Sequence, residues 1–261
     1  MTVLDYKDLA NIALEAGKRI LEVYNAGFLV SEKSDSSPVT TADIEAHKII
    51  VSSLAPTLLP VLSEEGNILP YEERVNWDEF WLVDPLDGTK EFVKRNGEFT
   101  VNIALIRNGV PTFGVVYAPV LKQMYLGGEK MGAYKVTISS DSQFTIDLLN
   151  ENTRIPRVTP ETFTVVASRS HLSKETEDFI NGLRTENREV NLVSIGSSLK
   201  LCLVAEGAAN IYPRLGPTME WDTAAGHAIC LAAGKRVYNL ETNEDLTYNK
   251  QNLLNPYFVV E

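Results

Sequence analysis

A chain of 261 residues with 44% hydrophobic and 23% charged side chains can bury a core large enough for one big domain or two subdomains, and this composition excludes a disordered chain. The formal net charge of −11 argues against a DNA or RNA polymer as ligand, because contact with a phosphate backbone needs a basic surface. Two cysteines, Cys202 and Cys230, each in an apolar helical run, read as buried free thiols and suit a reducing cytoplasm. Met1 to Arg19 has no basic n-region ahead of an apolar stretch, and no run approaches the ~20 apolar residues of a spanning helix, so the reading is neither exported by signal peptide nor membrane-spanning.

Leu4 to Asn25 carries Leu9, Ile12, Ala13, Ala16, Ile20 and Val23 at helical period and ends at Gly27, which predicts an amphipathic helix. After a polar stretch from Ser31 to Pro38, a threonine at Thr40 or Thr41 is placed to cap a second helix to about Leu54, with Asp43 in its first turn. Leu59 to Leu62 reads as a short buried strand that delivers Ser63-Glu64-Glu65-Gly66. Trp77 to Thr89 is a core strand and its turn, and Thr89 to Lys94 opens a helical turn whose free amides suit a phosphate. Thr100 to Arg107, the Asn108-Gly109 turn and Gly114 to Ala118 form a hairpin, with further antiparallel strands at Tyr125-Leu126 and Ala133 to Ile138.

Around Glu151 to Pro160 a polar, proline-bearing segment marks a boundary between two subdomains. Beyond it the texture alternates: strands at Phe163 to Ala167, Val190 to Val193, Ala209 to Tyr212 and Tyr257 to Val260, with helices at Lys174 to Leu183, Ser198 to Ala205 and Thr223 to Ala233. That alternation predicts α/β layers.

The chemistry centres on Trp81-Leu82-Val83-Asp84-Pro85-Leu86-Asp87-Gly88-Thr89. Pro85 and Gly88 are expected to stop the ladder just after Asp84, which puts Asp84 and Asp87 on one turn and frees the Leu86 carbonyl to face the same space. Three oxygen ligands from four residues suit a hard divalent cation, Mg²⁺ above all when phosphate completes the shell. A solvated acidic turn would look the same in isolation. Asp222, ahead of the small-residue helix Thr223-Ala224-Ala225-Gly226, reads alone as a plain N-cap. Together, however, Asp43, Glu64, Asp84, Asp87 and Asp222 would repel one another unless cations lay between them, which favours a multi-metal site.

In order and spacing, Asp43 after Val39-Thr40, Glu64-Glu65, Asp84 to Thr89 and Trp221-Asp222-Thr223-Ala224-Ala225-Gly226 resemble the inositol monophosphatase superfamily of Mg²⁺-dependent, lithium-sensitive phosphatases. Lys90-Glu91-Phe92, the run Lys94 to Ala104, Ser168-Arg169-Ser170-His171, Gly196-Ser197-Ser198-Leu199-Lys200 and Tyr212-Pro213-Arg214 are similar to its bacterial CysQ branch of 3'(2'),5'-bisphosphate nucleotidases. The resemblance implies an α/β protein with a layered α/β/α/β/α fold. An α+β half at 1–155 would carry the metals, and an α/β half at 156–261 would close over a nucleotide. It also implies two or three Mg²⁺ ions shared by Glu64, Asp84, the Leu86 carbonyl, Asp87 and Asp222, with Asp84 bridging. Asp43 and Thr89, together with Glu64, would serve the attacking water. The amides of Gly88 and Thr89 would take the scissile phosphate. His171, Ser197, Lys200 and Arg214, with Asp222 and the less secure Arg169, would hold the nucleotide. His47 and His227 lack such company and read as structural.

The implied reaction removes the 3'-phosphate of adenosine 3',5'-bisphosphate to give AMP and phosphate, with the sulfated analogue as a second substrate, in recycling a byproduct of sulfate assimilation. A peripheral link to the inner membrane follows from the resemblance alone. Two alternatives stay open: an inositol or broad sugar-phosphate phosphatase, against which Lys200 and Arg214 argue, and a non-catalytic metal or nucleotide sensor, against which Asp43 and Thr89 argue. Oligomeric state is open.

Overall fold

The computed structural model describes residues 4–27, 30–32, 38–139, 143–169, 173–185 and 189–261. In chain order its elements are α1 (Tyr6–Ala26), β1 (Val30–Glu32), β2 (Pro38–Thr40), α2 (Thr41–Leu54), β3 (Val61–Ser63), α3 (Tyr71–Arg74), β4 (Glu79–Asp87), α4 (Thr89–Val93), β5 (Thr100–Arg107), β6 (Val110–Ala118), β7 (Gln123–Gly128), β8 (Gly132–Thr137) and β9 (Arg154–Ile155). They continue with β10 (Phe163–Ser168), α5 (Lys174–Thr185), β11 (Val190–Ile195), α6 (Leu199–Ala205), β12 (Tyr212–Arg214), α7 (Glu220–Ala232), β13 (Val237–Asn239) and β14 (Phe258–Val260). Strands β3 to β9 form one sheet in sequence order, with β3 parallel to β4 and every later pair antiparallel.

Alternation along β4 divides the core. Trp81 and Val83 pack with α1 and α2 on one face, while Phe80 and Leu82 pack with α6 and α7 on the other. Outside α6 and α7 lie the parallel pair β10–β11 and the antiparallel order β12–β14–β13. Helices, sheet, helices, outer strands and, packed on those strands through Ile180, helix α5 thus stack in the layered order expected.

Helix α7 lies almost directly on the sheet because two strand glycines make room. A Cβ on Gly114 would fall inside the carbonyl of Ala225, and one on Gly127 would sit 2.6 Å from the Ile229 Cα. The small residues Ala224 and Ala225 complete this close seat, while Gly226 makes room for α6, since a Cβ there would sit 2.8 Å from the Leu201 side chain. Gly114→Val should therefore destabilise the fold by about 1–3 kcal/mol through overpacking. Urea unfolding checks this, and an unchanged midpoint would contradict the flush seat.

Several expectations needed correction. The β4 ladder does not stop at Asp84. Asp84 pairs with Asn102 and Asp87 with Thr100, so one extra residue bulges between them. Residues three apart in a strand normally face opposite sides, and the bulge resets that parity. Asp84 and Asp87 therefore share the α7 face while Leu86 joins the α1 side. The strand expected at Ala209 to Tyr212 instead begins at Tyr212, although Ile211 makes one parallel bridge to Val165. The last helix starts at Glu220 rather than Thr223. Strands β1, β2, β9 and β13 and the single turn α3 carry too little periodicity to have been expected.

Candidate active site

The site forms where the C-terminal end of β4 meets the first turns of α2 and α7. Carboxylate oxygens of Glu64, Asp84 and Asp222 approach one another to within 4.8 Å. Glu64 is placed by the parallel pairing of β3 with β4, its amide donating to the Val83 carbonyl at 3.2 Å. Asp84 is buried, and its Oδ1 accepts from the Leu86 amide at 3.0 Å, which shapes the bulge. Asp222 is not the N-cap. It is the third residue of α7, and its Oδ2 accepts from the Met219 amide at 2.8 Å. Asp87 stands beside them with Oδ2 2.7 Å from Ser198 Oγ.

Burial, then the charges of Glu64, Asp87, Asp222 and Asp43, hold the Asp84 carboxyl well above the usual carboxylate range. Burial, then Asp87 and Glu64, does the same to Asp222. Asp87 is also raised, chiefly by burial, against the pull of Lys200 and Ser198. An all-oxygen set under this mutual repulsion fits hard divalent cations, whose charge would let the acids ionise together.

Asp43 combines two duties. Its Oδ2 closes a capping box on α2, accepting from Thr40 N at 2.8 Å and Thr40 Oγ1 at 2.6 Å. Its Oδ1 lies 3.3 Å from Thr89 Oγ1, itself 3.4 Å from the Leu86 carbonyl. Burial raises its pKa, against the lowering by the two Thr40 bonds. Gly88, with φ +90°, makes the turn from β4 into α4, and a Cβ there would crowd the Glu98 carbonyl at 3.2 Å.

These residues open on a cavity of about 220 Å³ whose lining includes Glu64, Asp87, Thr89, Lys200, Arg214 and Asp222. Lys200 is buried, its ammonium donating to the Ser197 carbonyl, and burial draws its pKa down to about 8 although Asp87 pulls upward. Arg214 is buried too. Its Nη2 donates to the Pro217 carbonyl at 2.7 Å, while its Nε–H finds no acceptor among the described residues. Gly88 and Ser197 line the same cavity.

Other residues fall differently. Arg169 is committed away from the cavity, donating to both carboxylate oxygens of Glu98 at 2.8 Å and to the Ser194 carbonyl at 2.7 Å. His171 lies outside the described residues. His47 pairs its Nδ1 with Ser63 Oγ at 2.9 Å. His227 is buried against Tyr248 Oη at 2.9 Å, with burial holding its pKa down at about 3, as a structural histidine would be. Cys202 and Cys230 are buried free thiols. Among the described residues no helix is long and apolar enough to cross a membrane.

Sequence reading missed Ser198 and Asn102. Asn102 donates to Ser198 Oγ at 2.8 Å, and the same oxygen is 2.6 Å from the Asp222 carbonyl. The available signal was an asparagine, a residue strands avoid, between Val101 and Ile103 in a buried strand.

The inositol monophosphatase family model matches residues 4–257. The chain is 47% identical over 259 residues to the 3'(2'),5'-bisphosphate nucleotidase CysQ of Salmonella typhimurium, covering 97% of this chain and 98% of that one. It is also similar to the crystal structure of CysQ from Bacteroides thetaiotaomicron, with TM-score 0.88 and 51% identity over 98% of this chain and 96% of that one. An IMPase/NADP phosphatase complexed with Mg²⁺ and phosphate shares the fold, with TM-score 0.71 and 17% identity over 95% and 87% of the two chains. A family match across nearly every residue, with the acids gathered at one strand end, leaves one conclusion: the chain belongs to the inositol monophosphatase family.

Proposed function

We propose that this protein is a Mg²⁺-dependent 3'(2'),5'-bisphosphate nucleotidase that removes the 3'-phosphate of adenosine 3',5'-bisphosphate to give AMP and phosphate. The sulfated analogue is a second substrate on the same reading. One observation carries it: a single cavity lined by Glu64, Asp87 and Asp222 and by two buried cations, Lys200 and Arg214, one of which keeps an unanswered Nε–H. A sugar monophosphate has no second phosphate to meet that pair. The identity to nucleotidases named CysQ supports the same substrate class.

Glu64, Asp84, the Leu86 carbonyl, Asp87 and Asp222 would hold two or three Mg²⁺ ions. Bound there, the ions supply charge neutralisation for the scissile phosphate and its leaving oxygen, and they lower the pKa of water. The chain's own groups do the rest. Thr89 Oγ1 orients the attacking water and Asp43 Oδ1, 3.3 Å away, takes its proton. A carboxylate raised by burial is a better base near neutrality than an exposed one. The amides of Gly88 and Thr89 hold phosphate oxygens, and Glu64 also serves the attacking water. Ser197, Lys200 and Arg214, with His171 beside them, receive the phosphate that is not cleaved. In this scheme residues 1–155 supply most of the metal seat and 156–261 the nucleotide seat.

Phosphate release from adenosine 3',5'-bisphosphate and from inositol 1-phosphate, measured side by side in saturating Mg²⁺, tests the assignment. The bisphosphate should lead by at least about tenfold in kcat/KM, the worth of one charge-assisted contact. Equal rates, or a lead for inositol 1-phosphate, would move the broader sugar-phosphatase reading ahead.

A further inference from the structure

The side chain of Ser198 is buried at the first turn of α6, where a serine usually caps its own helix, yet it makes no capping bond. Its Oγ lies 2.7 Å from Asp87 Oδ2 and 2.6 Å from the Asp222 carbonyl, and accepts from Asn102 Nδ2 at 2.8 Å. Four elements therefore meet on one hydroxyl: the end of β4, the middle of β5, the start of α6 and the first turn of α7. With the Asn102 donor occupying one lone pair, the oxygen's position is fixed, and its single hydrogen serves the acid or the carbonyl on either side. Asn102 is in register with Asp84 on the neighbouring strand, so the same amide anchors the hydroxyl to the strand position that carries this buried acid.

We infer that Ser198, held by Asn102, is a positioning residue for the divalent-cation seat: its one hydrogen, shared between the Asp87 carboxylate and the Asp222 carbonyl, orients that carboxylate and keeps the backbone of Asp222 beside it across the two halves of the chain. Groups that hold a metal ligand from behind restrict its rotation, and losing one typically weakens metal affinity about 10–100-fold. A purely architectural hydroxyl would lower stability and leave the affinity alone. The inference rests on the metal seat proposed above.

The test is Mn²⁺ binding to the chelator-treated full-length protein, followed by electron paramagnetic resonance of the free ion, for wild type, Ser198→Ala, Ser198→Thr and Asp84→Asn. Ser198→Ala should weaken Mn²⁺ binding by about 10–100-fold and raise the Mg²⁺ concentration for half-maximal phosphate release in parallel, with a smaller fall in kcat once Mg²⁺ saturates. Ser198→Thr, which keeps the hydroxyl, should recover most of the affinity. Asn102→Ala gives a second route should Ser198→Ala fail to fold, and should weaken Mn²⁺ binding in the same direction. Affinity within twofold of wild type in whichever of the two alanine variants folds, while Asp84→Asn loses binding, would overturn the role of Ser198 and leave the metal seat standing. Undiminished Mn²⁺ binding by Asp84→Asn would instead remove the metal seat itself.

Discussion

Asp84→Asn should lower phosphate release by at least about a thousandfold, because several kcal/mol of charge stabilisation are lost when the central acid of the cation seat is neutralised. The fold should survive the change, since Asn keeps the size of the side chain and an oxygen for the Leu86 amide. Stability should move the other way. In the metal-free protein burial, followed by four neighbouring acids, holds the Asp84 carboxyl well above its usual range, so the folded chain keeps a proton that the unfolded chain releases above about pH 4. Where the folded state binds more protons, stability falls as pH rises. The wild type without metal should thus lose stability from pH 4 upward, through the raised value, and Mg²⁺ should restore it. Asparagine has no such proton to lose. The variant should show a flatter pH dependence, exceed the metal-free wild type at pH 7–8 and gain less from Mg²⁺. Melting curves with and without chelator, beside initial rates, check both halves. Near-normal turnover by the variant, or parallel melting profiles between pH 5 and 8, would contradict the role given to Asp84.

Lys200→Ala and Arg214→Ala should each cost about 1.5–3 kcal/mol of binding to a bisphosphate nucleotide, the scale of a charge-assisted hydrogen bond. That is about a tenfold to hundredfold fall in kcat/KM for adenosine 3',5'-bisphosphate, with little change for 3'-AMP, which never made the contact. A disturbance of the cation seat or a general electrostatic effect would lower both substrates together, so the ratio between them is the discriminating quantity. Lys200 adds a pH signature. Its pKa near 8 means that the ammonium loses its charge as pH rises through that value, so kcat/KM for the bisphosphate should bend downward above about pH 8. In Lys200→Ala the bend should vanish. An unchanged substrate ratio in both variants would mean that these cations do not hold the second phosphate.

Much of this arrangement was legible in the sequence, for reasons that differ from residue to residue. Helices α1 and α2 announce themselves by period and by their caps, and Asp84 with Asp87 by sitting at the end of an apolar strand. Asp222 was found in the right company, and only its stand-alone reading as an N-cap was misplaced. A side chain that caps from inside the first turn cannot be told by spacing from one that caps just before it. Arg169 looked like a ligand-binding cation because sequence does not show that Glu98, 71 residues away, already takes its guanidinium. Ser198 was hidden for a related reason: a serine opening a helix has a sufficient local explanation, and only tertiary structure reveals that its hydroxyl is turned elsewhere. The bulge in β4 left no mark beyond Pro85, whose missing N–H disrupts a ladder without saying where the pairing resumes.

That bulge makes the site sensitive to length where it tolerates composition. Pro85 and Leu86 could be exchanged for other residues with Asp84 and Asp87 still on one face, since the count between them would be unchanged. Deleting either residue would leave the aspartates two apart in a regular ladder, still on one face, but would remove the bulge whose Leu86 amide holds Asp84 Oδ1. Inserting one beside the bulge would turn Asp87 toward α1 and α2, into a layer built from Leu9, Ile20, Ile50 and Phe92. An acid delivered there would meet neither cation nor water. Between these two aspartates the chain stores its geometry as one extra residue, and adding another there is more damaging than most single substitutions.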